Sequence, residues 1–134
     1  MNEELLYSKI ITIDRYRTLV RNSTDQYDII DWYLPPPYNE HYEGKARTED
    51  YFTSLIEKPK FDYLMQQEKP FYISAHPSNI YIYDLKEYPT KYLFWRWEWL
   101  PETTEFGRTR LVQKNVAYLN PLFEGCIDIL PQFN

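Results

Sequence analysis

Strand-like spacing of apolar and polar positions dominates the second half of the chain. PFYISA (70–75) and NIYIYDL (79–85) are separated by HPS, a turn signal. TKYLFWRWEWLP (90–101) and GRTRLVQKNVAYLNP (107–121) continue the pattern, and the intervening PETTEFG, with Gly107 at its end, suits a hairpin loop. Strands so closely linked predict an antiparallel sheet formed mainly by residues 70–119. Upstream, RTEDYFTSLIEKPKFDYLMQQ (47–67) reads as helix. Thr48 can cap it, Glu49 and Asp50 suit its first turn, and Phe52, Leu55 and Ile56 form an i, i+3, i+4 stripe. Pro59 interrupts that stripe and is allowed at the first turn of a second short helix carrying Phe61, Leu64 and Met65. Residues 9–20 and the tail LFEGCIDILPQFN fit either helix or strand. Pro35, Pro36 and Pro37 lack amide donors and fix φ, so their surroundings are predicted to be extended and outside any central strand. The expected fold is α+β: one domain over residues 1–134, an antiparallel sheet of about four to six strands, and helices packed on one face.

Period two also sorts the tryptophan-rich strand. Leu93, Trp95, Trp97 and Trp99 share one face, and Tyr92, Phe94, Arg96, Glu98 and Leu100 the other. The wholly apolar face is predicted to be buried beneath the helices, with Arg96 and Glu98 more exposed. A ligand slot lined by tryptophans is the alternative, and it would need convergent polar groups that the sequence does not display.

At 134 residues the chain suffices for one core without staples. Its single cysteine, Cys126, allows no internal disulfide and fits a reducing compartment. The N-terminal MNEELLYSKIITIDRYR lacks the basic start and apolar stretch of a signal peptide, and no apolar run approaches the roughly 20 residues of a membrane helix. A cytoplasmic location is expected. Aromatic residues make up 19% of the chain, with 14 Tyr and 4 Trp. That proportion supplies a large apolar payload and also suits binding surfaces.

Catalytic and metal motifs are missing. Cys126 with His41 or His76 is a pairing that any such chain permits. No C-x-x-C or H-x-x-x-H spacing points to zinc, and three glycines, Gly44, Gly107 and Gly125, cannot build a phosphate loop or a nucleophile elbow. Asp25, Asp28 and Asp31 recur every three residues without a calcium-loop pattern, which favours a solvated acidic edge over a cation site. The chain is expected to be no enzyme and to need no cofactor or metal.

DQYDIIDWYLPPPYNEHYEG (25–44) accounts for the whole net charge of −5, because Asp25, Asp28, Asp31, Glu40 and Glu43 stand there without a Lys or Arg. Tyr27, Trp32, Tyr33, Tyr38 and Tyr42 are interleaved with them. One reading is a surface loop whose rings fold back onto the core and whose charges keep the protein dissolved. The other is a recognition surface in which Asp25, Asp28, Asp31, Glu40 and Glu43 attract a basic partner while Trp32, Tyr33, Tyr38 and Tyr42 anchor it. Concentration of the charge in one stretch favours recognition. Overall acidity argues against direct contact with nucleic acid.

The order of helix TEDYFTSLIEK, strand PFYISA, long Trp-bearing strand YLFWRWEWL, hairpin and RLVQKNVAYLN resembles that of immunity proteins of bacterial contact-dependent growth inhibition and related polymorphic-toxin systems. In those a Trp-bearing strand leads into a strand of the V-x-x-x-N-x-V kind, to which Val112, Asn115 and Val116 come close. The resemblance covers roughly residues 48–119 and implies a stoichiometric inhibitor that occludes a basic, nuclease-like toxin. It carries over no toxin-contacting residue. A phage or mobile-element inhibitor of a nucleic-acid-handling host enzyme, or a particle-assembly adaptor, fits the same composition.

Overall fold

Alternating burial along residues 29–34 and near-continuous burial along 70–75 define the middle of the molecule. The computed structural model describes residues 2–22, 29–102 and 110–133. Helix α1 (Glu3–Ile10) is capped by Asn2, whose side chain accepts from the Leu5 amide, and β1 (Val20–Arg21) follows it. Strands β2 (Ile29–Leu34), β3 (Glu40–Ala46), β5 (Pro70–Ala75), β6 (Ile80–Asp84) and β9 (Cys126–Asp128) join β1 in a six-stranded sheet ordered β1-β2-β3-β5-β6-β9. Strands β4 (Ser54–Glu57), β8 (Leu111–Leu119) and β7 (Arg96–Pro101) form a second sheet in the order β4-β8-β7. Helix α2 (Lys58–Leu64) follows β4 directly. The fold is α+β.

Period two explains why the larger sheet buries both faces. On β5 and β6, Ile73 and Ile82 belong to a core with Leu6, Ile10, Ile30, Trp32, Leu34 and Tyr42, beneath α1. Their neighbours Tyr72 and Tyr83 point the other way, into a core with Ile56, Leu64, Ala117 and Leu119 beneath the second sheet and α2. Tyrosine suits this layer because its hydroxyl reaches a partner across the gap. Tyr72 donates to the Leu55 carbonyl at 2.9 Å, and the Tyr83 hydroxyl lies 2.8 Å from Ser54 Oγ. Part of the aromatic content is therefore inter-sheet packing.

Four expectations are corrected. The antiparallel sheet is not single: strands divide between two sheets, and β3 pairs with β5 in parallel. A parallel pair needs a long crossover, supplied by residues 47–69 with β4 and α2. Helices lie on both faces of the large sheet, α1 with one core and α2 with the other. Residues 54–57, assigned to helix by their stripe, pair instead with Val116–Leu119, and helix begins at Lys58 with Pro59 in its first turn. Strands β2 and β3 are internal to their sheet although prolines adjoin them, because Pro35–Pro37 occupy the connecting turn. Among the described residues no helix is long and apolar enough to cross a membrane.

Candidate functional site

The expected recognition segment is a β-hairpin, and its two faces meet different surroundings. Asp25, Tyr27 and Asp28 lie outside the described residues. Trp32 and Tyr42 are cross-strand partners facing the α1 core, fully and almost fully buried. Trp32 Nε1 donates to Glu3 Oε2 at 2.8 Å, and the same carboxylate is held by Arg21. Tyr42 stacks on Phe71 at 4.7 Å, and its hydroxyl donates to Glu40 Oε1 at 2.7 Å. Glu40 is itself buried and gripped by both terminal nitrogens of Arg15, each at 2.6 Å. That grip, aided by Tyr42, raises the Arg15 guanidinium pKa above its ordinary value. Tyr33 and Tyr38 are half-buried, with Arg15 4.7 Å over the Tyr38 ring. The expected exposed anchoring by Trp32 and Tyr42 and the free charge of Glu40 are thus corrected: these groups hold the hairpin to the body, whereas the Tyr33 hydroxyl donates to Asn39 within the hairpin's own turn.

The opposite face collects Asp31, His41 and Glu43. Asp31 and Glu43 are cross-strand partners, and His41 lies two residues before Glu43 on the same side. His41 Nε2 is 3.9 Å from Asp31 Oδ1, and the three donor atoms all lie within 4.8 Å of one another. His41 Nε2 is buried and has no hydrogen-bond partner among the described residues. Burial lowers the His41 pKa below its ordinary value, with Asp31 opposing. Burial pushes Glu43 up to about 7, against the pull of Lys60 at 3.9 Å. Beside them a cleft of about 280 Å³ opens between the sheets, with Lys45, Arg47, Lys60 and Lys114 in its wall. Burial, then Arg47 and Lys114, lowers Lys45 to about 8.

The exposed aromatic surface lies elsewhere, on β7. Trp97 and Trp99 are each 65% exposed, and Tyr92 and Phe94 just before the strand are 70% and 73% exposed. This overturns the expected burial of Trp97 and Trp99; Glu98, on the other face, is the more sheltered. The parity was right and the cover was not. Trp95 continues the face of Ala117 and packs on Phe61 at 5.1 Å. Strand β4 ends where Glu57 meets Val116, so beyond that rung the sheet narrows to β7 and β8. Trp97 and Trp99 stand opposite Asn115 and Gln113, in that uncovered part. Those two polar partners on LVQKNVAYL were the legible sign that the face reaches solvent. Across the strand, Arg96 and Glu98 pair at 2.9 Å, and Arg110 pairs with Glu102 at 2.7 Å at the outermost described rung.

Comparison with models of known protein families, with curated proteins and with solved structures finds no match for this chain.

Proposed function

We propose that the chain is a non-catalytic binding protein of the immunity type, which neutralises a basic, nuclease-like toxin domain in the cytoplasm by docking the Trp97–Trp99 face of the β7–β8 hairpin against it. The observation that carries this reading is the pair of tryptophans, each 65% exposed, on one face of an edge strand. Exposed rings of this size, with none of the described residues covering them, are the residues that dominate protein interfaces once a partner excludes water. Among the described residues no strand pairs with the outer edge of β7, whose backbone donors and acceptors offer a partner strand a place to build. The net charge of −5 supports a basic partner by raising its encounter rate. The resemblance to immunity proteins, confined to the Trp-bearing strand and β8 now that residues 54–57 are strand, favours a toxin as that partner.

The test is neutralisation and affinity together. If a toxin domain is encoded beside this gene, co-expression with it should restore growth, and the purified pair should form a one-to-one complex; a neighbouring toxin that the protein neither binds nor neutralises would refute the reading. Trp97→Ala or Trp99→Ala should weaken the complex by about 2 kcal/mol or more, roughly thirtyfold in Kd, with most of the loss in the dissociation rate. A double variant that binds and protects like the parent would remove this face from the interface.

A further inference from the structure

We infer that Asp31, His41 and Glu43 form a binding site for a first-row divalent metal ion such as Zn²⁺. Three different strand positions deliver one imidazole nitrogen and two carboxylates to a common point, with every donor pair within 4.8 Å. The second observation concerns the ring itself: His41 Nε2 is buried, lies 3.9 Å from Asp31 Oδ1 and has no hydrogen-bond partner among the described residues. A buried ring nitrogen left without a partner is destabilising, and a cation between it and the carboxylates would remove that cost. Bond lengths of about 2.0–2.2 Å to nitrogen and oxygen require the donors to close by about 1 Å. Rotation of the Asp31 and Glu43 carboxylates can supply that movement.

The donor set selects the ion. An imidazole disfavours Ca²⁺ and Mg²⁺, which take oxygen ligands, and the absence of a thiolate from the cluster disfavours soft ions. Three protein donors leave further coordination positions for water. Surrounding groups hold the donors in place: the Tyr63 ring packs edge-on against His41 at 5.5 Å, and Asn22 Nδ2 donates to Asp31 Oδ1 at 3.2 Å. Lys60, 3.9 Å from Glu43, is the cation that an ion would have to displace or share.

The experiment is calorimetric titration of the chelator-treated full chain with Zn²⁺, with Co²⁺ absorption as a second readout of ligand type. One equivalent should bind, and Asp31→Asn and Glu43→Gln should each weaken binding at least about tenfold. His76→Gln, which changes the histidine outside the cluster, should leave Zn²⁺ affinity unchanged. Asp31 is one-third exposed, so its variant should keep the parent's circular dichroism and report on the metal even where Glu43→Gln fails to fold. No saturable uptake by the parent, or uptake that a folded Asp31→Asn variant retains at full affinity, would overturn the site. Loss of binding by a His76→Gln variant that keeps the parent's circular dichroism would also overturn it, by placing the ion elsewhere.

Discussion

Replacing Trp32 by Phe tests the burial of the proline-flanked hairpin through one atom. Trp32 is fully buried, and its indole N–H donates at 2.8 Å to Glu3, a carboxylate that is itself buried at the base of α1. Phenylalanine keeps most of the ring contact with Tyr7, whose centroid lies 5.7 Å away, but removes the donor. Loss of a hydrogen bond to a charged group costs about 1.5–3 kcal/mol. The smaller ring adds about 1 kcal/mol for incomplete filling. The expected destabilisation is about 2–4 kcal/mol, a large part of the 5–15 kcal/mol available to a domain. Urea denaturation followed by far-ultraviolet circular dichroism reads it without depending on the fluorophore that is changed. At an m-value of about 2 kcal/mol/M the midpoint should fall by roughly 1–2 M. Trp97→Ala is the internal control: removing a larger group from an exposed site should change stability by no more than about 1 kcal/mol. A Trp32→Phe midpoint equal to the parent's would refute the argument that Glu3 and Trp32 hold α1 to the sheet. A Trp97→Ala loss of several kcal/mol would show that the hairpin face is covered.

Three further outcomes follow from packing and titration. Gly44→Ala should be among the most destabilising single changes, because a Cβ there would lie 1.9 Å from the Ile73 carbonyl oxygen on β5; denaturation should show a loss of several kcal/mol or failure to fold. Buried His76, within 2.9 Å of Ser74 Oγ, has its pKa lowered from 6.5 by burial. Its contribution is therefore complete above pH 6.5 and is lost as pH falls below that value, where the unfolded ring takes up a proton first. A melting-temperature series from pH 7.5 to about 5 should fall, and His76→Gln should flatten the fall. Burial pushes the Cys126 thiol up to about 12, so its alkylation by iodoacetamide at pH 8 should be far slower than that of a free cysteine and should recover in urea.

Local pattern was enough to place several elements. Period two and the HPS turn located β5 and β6 almost to the residue, and the position of Pro59 marked the start of α2. It also assigned Trp97 and Trp99 to a common face, as the register confirms. The remainder depended on which segment lies against which. Phe52, Leu55 and Ile56 have helical spacing, yet Leu55 and Ile56 extend to pair with Tyr118 and Ala117, a gain that no window of neighbouring residues contains. Asp31, His41 and Glu43 converge only because a five-residue turn folds β2 onto β3, which turns separations of 10 and 12 positions into touching distance. The charge of residues 25–44 looked free because Arg15, which neutralises Glu40, lies 25 positions away along the chain. Trp97 and Trp99 looked buried because alternation identifies a face but not the length of the strand that covers it. Periodicity is a property of the chain and is written locally; cover, pairing direction and charge compensation are properties of contacts between distant segments, and only the folded arrangement decides them.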